Sequence, residues 1–293
     1  MIYNMNKIKE SKAIGLIIIS VIYLLSIILQ VVLFNILSID SLFLKIFIID
    51  IIATIFIFIF SLIFKNASIY DPYWSVEPLV ILILIVLHNK INYPVVISFV
   101  IVFILWSLRL TLNWGISFKN LSTQDWRYTM LKEKTKKFYP LVNLFGIHLF
   151  PTLVVYLALL PAIRFIDINY TNYVSYIGVG IMLLGVTLEI ISDYDIFEYH
   201  KRNKDDRRQI LNTGLWKYSR HPNYLGEIVF WYGSFFAMLA VSFSSWYLCI
   251  GAIINNLMFV FVSIPMMENR LKTYKFNYEK YQEDTRMLLP FKK

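Results

Sequence analysis

Residues 214–227, GLWKYSRHPNYLGE, put Lys217, Arg220 and His221 beside Trp216, Tyr218, Tyr224, Asn223 and Glu227 at the border of an apolar run. Ionisable groups at the edge of a hydrocarbon layer are costly, so such a cluster marks a functional site. Pro222 suits the first turn of a helix, where its missing N–H costs nothing. A helix beginning there points its free N–H groups and its positive end past Arg220 and His221, a ready place for phosphate or another anion. Asn223 and Glu227 are four apart, share a face, and suit an amide or a hydroxyl. Lipid headgroups are the plainer partner for the same cations.

Other ionisable residues fall near the same border. Arg109 closes one apolar run, Asp71 and Glu77 flank the start of another, and Glu189 and Asp193 end a third. Glu189, Asp193, Phe197 and His200 are spaced to form one helical stripe, which runs on into Lys201 and Arg202. The structural alternative is that Arg109 snorkels and a carboxylate pairs with it. Asp50 stands apart in mid-span and is expected to pair with Lys45.

Several chemistries are excluded by what is missing. The four histidines include no HxxxH or HxxHH pair, which removes di-iron hydroxylation, and no metal site is expected. Neither GxGxxG nor GxxxxGK[ST] nor a GxSxG elbow occurs. The single cysteine, Cys249, rules out disulfides and CxxC sites and reads as a small buried hydrophobe. Gly178, Gly180 and Gly185 fall within a span and read as close helix-packing positions.

These residues need elements to hold them, and the composition says which. Of 293 residues, 58% are hydrophobic and 16% charged, against about 25% charged in a soluble domain. The mean hydropathy is +0.61. Continuous apolar runs reach the roughly 20 residues that cross a bilayer, and they do not alternate as barrel strands would. The expected fold class is an all-α polytopic membrane protein with about eight transmembrane helices, at 14–37, 42–64, 75–87, 93–114, 140–163, 173–191, 223–243 and 246–265. The third is the shortest and holds Pro78, as a tilted or re-entrant piece would. The first run is too long for a signal-peptide core and reads as a span.

With eight spans, all but four of the 28 Lys and Arg fall on one side. Positive residues collect on the cytoplasmic side, so both termini, segment 115–139 and segment 192–222 are expected in the cytosol. The formal charge of +9 is thereby a topology signal, and no nucleic acid is needed to explain it. The tail, 266–293, is too apolar for a disordered end and is expected to pack back under the membrane region.

Three stretches then form a set: LEIISDYDIFEYHKRNK, GLWKYSRHPNYLGEIVFWYG and SIPMMENRLKTYKFNYEKYQEDTRMLLPF. Together with WSLRL (106–110) and QDWRY (124–128), this set resembles the DUF1295 family. That family is related to the C-terminal domain of steroid 5-alpha reductases and to membrane sterol reductases. The likeness covers roughly 70–293. RHPxY alone is less specific, because isoprenylcysteine carboxyl methyltransferases use a similar motif and tail.

The resemblance implies a steroid-reductase-like bundle with a cytosolic-facing cavity for NADPH. It divides the chain into a transmembrane pair, 1–65, and a reductase-like membrane domain, 66–293. Asp193 matches the family's acidic residue, and Asn223, Tyr224 and Glu227 match its NxxxE cofactor contact. Tyr274, Tyr278, Tyr281 and Arg286 lie in the tail that closes over the nucleotide. Arg109, Arg127, His200, Lys201, Arg202, Trp216, Arg220 and His221 complete the expected cofactor-binding set. Glu189 stands where the reductases carry asparagine, and the reductases' catalytic Glu and Tyr have no recognisable match.

The function expected on this basis is NADPH-dependent reduction of an activated, enone-type C=C bond in a hydrophobic lipid or steroid-like substrate within the membrane. An acid must meet the carbonyl as hydride arrives, and DPYWSVE offers Glu77, Tyr73 and Asp71. The rivals are an S-adenosylmethionine-dependent membrane methyltransferase and a non-catalytic lipid-binding protein. The membrane is the plasma membrane in a bacterium and the endoplasmic reticulum in a eukaryote.

Overall fold

The computed structural model describes residues 9–168, 170–203 and 206–290. Lys7, Lys204, Lys292 and Lys293 of the charge pattern, and Phe291 of the terminal LLPF, lie outside the described residues. Among the described residues the chain is helical with no β-strand, and one isolated bridge joins Ser219 to Arg286.

Two long apolar helices come first, α1 (Lys12–Ile36) and α2 (Leu42–Phe64). Each begins at a serine whose hydroxyl accepts a backbone N–H of the first turn, Ser11 from Ile14 and Ser41 from Leu44. Lys65 ends α2 in the left-handed region at φ 56°. Asn66 then holds the crossing to the next helix, because its side-chain amide donates to the carbonyls of Leu121 and Thr123. A 3₁₀ turn, Ala67–Ile69, leads into α3 (Tyr73–His88), which keeps its course with Pro78 inside it.

The remaining helices are α4 (Pro94–Ser117), α5 (Trp126–Thr135), α6 (Tyr139–Val142), α7 (Phe150–Asp167), α8 (Ser175–Arg202), α9 (Pro222–Leu239), α10 (Cys249–Met258), α11 (Ile264–Lys272) and α12 (Tyr278–Asp284). Between α6 and α7 the chain winds as a π-helix, Asn143–Leu149, and between α10 and α11 it does so again at Phe259–Ser263.

Among the described residues, seven helical stretches are long and apolar enough to cross a membrane: Lys12–Ile36, Leu42–Phe64, Ala67–His88, Pro94–Ser117, Trp126–Asp167, Ser175–Arg202 and Phe243–Lys272. The protein is an all-α polytopic membrane protein. The short third span gains a turn at its start through the 3₁₀ segment and so reaches full length. Helix α9, at the place of the expected span 223–243, is not among the seven. Its 18 residues open with Pro222, Asn223, Tyr224, Gly226 and Glu227, which dilute its hydropathy.

The chain forms two compact units, residues 1–91 with 103–156, and residues 92–102 with 157–293. In the first unit the core joins Ile19, Ile22 and Tyr23 of α1 to Ala53 and Ile57 of α2. Ile69, Tyr70, Tyr73, Phe118 and Leu121 complete it. In the second unit α8 and α9 meet backbone to backbone at glycines. A Cβ on Gly185 would stand 2.6 Å from Gly226 O, and one on Gly233 would stand 2.6 Å from Met182 N. Gly178 packs the same way against Ala237, whereas a Cβ on Gly180 would meet nothing within 4 Å. The expected packing role therefore holds for Gly178 and Gly185 and not for Gly180.

Candidate functional site

The second unit holds a partly open cavity of about 290 Å³. Helix α8 supplies Ile196, Tyr199 and His200, and the start of α9 with the turn before it supplies Trp216, Arg220, His221, Asn223 and Tyr224. Ile210 and Leu211 close one side. Met267, Leu271, Tyr274, Lys275, Tyr278 and Tyr281 close another. Helix α9 does begin at Pro222, with His221 as its N-cap residue. The His221 ring lies parallel to Tyr224 at 5.5 Å, and Tyr224 stacks in turn on Phe259 at 4.9 Å.

Among the described residues, two polar atoms at this cavity are buried without a partner, Asn223 Oδ1 and the Tyr199 hydroxyl. Buried polar groups are nearly always paired, so these two define what a ligand must bring. Asn223 Oδ1 requires a hydrogen-bond donor. Lys275 supplies positive charge, its ammonium 5.8 Å from the ring centres of both Tyr199 and Tyr274. Burial draws the Lys275 ammonium below the ordinary lysine value. It pushes the phenols of Tyr278 and Tyr281 above theirs, so both remain neutral donors at physiological pH.

Arg220 and His221 face away from a ligand role and toward the tail. Glu268 Oε1 accepts from Arg220 Nε at 2.7 Å and from His221 Nε2 at 2.9 Å. Gln282 Nε2 donates to Glu268 Oε2. Arg220 Nη1 also donates to the carbonyls of Gln282, at 3.1 Å, and Thr285. The backbone adds Arg220 N to Arg286 O at 2.9 Å and Phe276 N to Arg208 O at 2.9 Å. The Tyr281 hydroxyl donates to Trp216 O. The tail, 266–290, thus packs on segment 208–221.

Of the cofactor-binding residues expected from sequence, His200, Trp216, Arg220, His221, Asn223, Tyr224, Tyr278 and Tyr281 line this cavity. Others are engaged elsewhere. Glu227 Oε1 accepts from Trp231 Nε1, one turn on in the same helix, at 2.9 Å. Lys201 and Arg202 are exposed and lie 3.6 Å from Glu198. Arg286 takes part through its carbonyl. The expected stripe on α8 is turned by one residue: Phe197 is exposed, Glu189 is buried, and Ile196, Tyr199 and His200 form the face on the cavity. Asp193 is outside the lining. Arg109 and Arg127 belong to the first unit, where Arg127 grips Asp125 with Nε at 2.7 Å and Nη2 at 3.3 Å. Glu268, Gln282, Tyr199 and Lys275 were not singled out from the sequence. For the three in the tail, the one available signal was the polar density of SIPMMENRLKTYKFNYEKYQ.

The first unit contains a second polar cluster. The Tyr73 hydroxyl donates to Asp50 Oδ1 at 2.9 Å, and Gln30 Nε2 donates to Glu77 Oε2 at 2.9 Å. Tyr70 stacks on Tyr73 at 5.2 Å and shares a hydrogen bond with Thr152, which shares another with Thr54. His148, on the π-helix, lies 4.7 Å from the Tyr70 ring, and its Nδ1 meets Asn143 O at 2.9 Å. Asp71 is engaged apart from Tyr73 and Glu77, accepting from the Tyr128 hydroxyl at 2.6 Å. The pairing expected between Asp50 and Lys45 is corrected: the Lys45 ammonium sits over the Phe34 ring at 4.5 Å. Those two residues are five apart and so do not share a helix face.

A family model described as a protein of unknown function, DUF1295, matches residues 57–285. The chain belongs to the DUF1295 family. The match includes α9, the latch at Glu268 and both polar clusters from residue 57 onward. The chain is similar to an uncharacterized protein of Schizosaccharomyces pombe, 27% identical over 207 residues, which cover 62% of this chain and 60% of that protein. The DUF1295 chain thus spans about 60% of the length of that curated relative. No solved structure matches.

Proposed function

We propose that this protein is a membrane reductase that uses NADPH to saturate an activated, enone-type C=C bond in a hydrophobic lipid or steroid-like substrate. The observation that carries the reading is the cavity of the second unit. Its walls are the rings of Trp216, Tyr224, Tyr274, Tyr278 and Tyr281, its bare acceptor is Asn223 Oδ1, and its cation is Lys275.

The donor set fits the cofactor. A carboxamide or an exocyclic amine donates an N–H to Asn223 Oδ1. Aromatic faces suit a planar ring system. Lys275 and His200 suit phosphate oxygens. Arg220 and His221, held by Glu268, shape the wall and fix the start of α9, leaving the phosphates to the residues of α8 and the tail. NADPH supplies a hydride when bound. In the first unit, the Tyr73 and Glu77 side chains of DPYWSVE are buried among the apolar helices. Asp71, engaged with Tyr128, serves the fold.

The charge asymmetry supports an orientation with both termini and the mouth of this cavity in the cytosol, where NADPH is found. The membrane is the plasma membrane in a bacterium and the endoplasmic reticulum in a eukaryote.

A second reading is favoured by the cavity's size. Ligand pockets run from roughly 300 to 1,000 Å³, and 290 Å³ lies at the small end. That volume takes one nucleoside more readily than a dinucleotide, as S-adenosylmethionine would require for methyl transfer. The purified protein in nanodiscs separates the two: consumption of NADPH on adding enone lipids supports reduction, and methyl transfer from S-adenosylmethionine without NADPH consumption rejects it.

A further inference from the structure

In the first unit the Gln30 amide and the Glu77 carboxyl have made half of the bonds they are able to make. Gln30 Nε2 donates to Glu77 Oε2 at 2.9 Å, and more weakly to Ser26 Oγ at 3.4 Å. The other oxygen on each residue, Gln30 Oε1 and Glu77 Oε1, is buried with no partner among the described residues. The two residues are 1% and 4% exposed.

An ionised carboxylate only accepts hydrogen bonds, and an amide oxygen only accepts. With Glu77 ionised, Glu77 Oε1 and Gln30 Oε1 are both left bare inside apolar helices. One proton on Glu77 Oε1 changes that atom into a donor. Gln30 Oε1, on the residue already bonded to Glu77, is the acceptor left over. A single proton therefore satisfies two orphaned atoms and completes a cyclic acid–amide pair.

Among the neighbours, Asp50 favours the same state. The ionisable groups acting on Glu77 are Asp50 of α2 and Tyr73 of α3, with Gln30 of α1 beside them. The Tyr73 hydroxyl donates to both Asp50 Oδ1 and Asp50 O. Lys45, the cation of α2, is placed over Phe34. Two carboxyl groups close together in apolar surroundings do not both ionise.

We propose that Glu77 is held as a neutral carboxylic acid, its proton on Oε1 and bonded to Gln30 Oε1. This makes a proton-donating site within the apolar helices of the first unit, with Gln30 as the residue that positions the proton. The protonation of Glu77 does not rest on the reductase reading.

Infrared spectroscopy of the full chain in nanodiscs at neutral pH tests this without cofactor. The wild type should show the C=O band of a hydrogen-bonded carboxylic acid, shifted in D₂O. The band should vanish in Glu77→Gln, persist in Asp50→Asn, and move to higher frequency in Gln30→Leu, which removes the acceptor and leaves the acid. Absence of the band from the wild type overturns the proposal, as does its survival in Glu77→Gln or its loss in Asp50→Asn alone. A wild-type band without NADPH binding keeps this inference and rejects the reductase. NADPH binding without the band does the reverse.

Discussion

Arg220 Nε lies 2.7 Å from Glu268 Oε1, and both side chains are about nine-tenths buried, at 10% and 11% exposure. The two are 48 residues apart in sequence. Their pairing, reinforced by His221 and Gln282, ties the start of α9 to the tail and so forms the back of the cavity. Removing one partner of a buried ion pair leaves the other charge uncompensated, at a cost of about 3–5 kcal/mol. Arg220→Ala and Glu268→Ala should therefore each lower the unfolding midpoint in detergent and expose the tail to limited proteolysis. Glu268→Gln keeps a hydrogen-bond acceptor and should cost less. Unchanged midpoints and an intact tail in both alanine variants would remove the latch from the account.

Close approach of α8 and α9 sets the height at which Asn223 meets the cavity. A Cβ at position 226 would stand 2.7 Å from Gly185 O and 2.5 Å from Glu189 Cγ, whereas one at 180 meets nothing within 4 Å. Overpacking of this kind costs roughly 1–3 kcal/mol. Gly226→Ala should destabilise by that order in thermal unfolding, and Gly180→Ala should be neutral. Equal effects at the two positions would contradict the packing described.

Burial lowers the Lys275 pKa, so this lysine loses its charge at lower pH than an exposed one. The charge that binds a phosphate is present below that pKa and absent above it. Affinity for a phosphate-bearing ligand should thus fall on the alkaline side and begin to fall before the ordinary lysine range. Lys275→Arg, which stays protonated, should shift that decline upward, and Lys275→Met should weaken binding below that pKa and flatten the alkaline limb. Titration of ligand affinity against pH in the three proteins decides it.

How much of this was legible in the sequence differs between the helices and the site. Apolar runs at Ile14–Leu37 and 42–64 reappear within a few residues as α1 and α2, because length and hydropathy alone decide a span. Pro222 located the start of α9 for a local steric reason. The π-helix at Asn143–Leu149 leaves no comparable trace, since an added residue per turn does not alter an apolar composition. Pairings such as Gln30 with Glu77 and Arg220 with Glu268 join residues 47 and 48 apart, beyond the reach of any periodicity. Lys201 and Arg202 looked like cofactor ligands because their charge was visible, whereas Glu198, one turn back on the same face, was the nearer partner. Charge in the sequence told which residues are costly, and packing told which of them are already engaged.

The central claim, that the cavity around Asn223 holds NADPH, is tested most directly by thermal shift of the purified protein with NADPH, NADH and S-adenosylmethionine. The account predicts stabilisation by NADPH, reduced when Asn223→Leu removes the bare acceptor and when Lys275→Met removes the cation. Stabilisation by S-adenosylmethionine and not by NADPH, or an NADPH response unchanged in both variants, would contradict it.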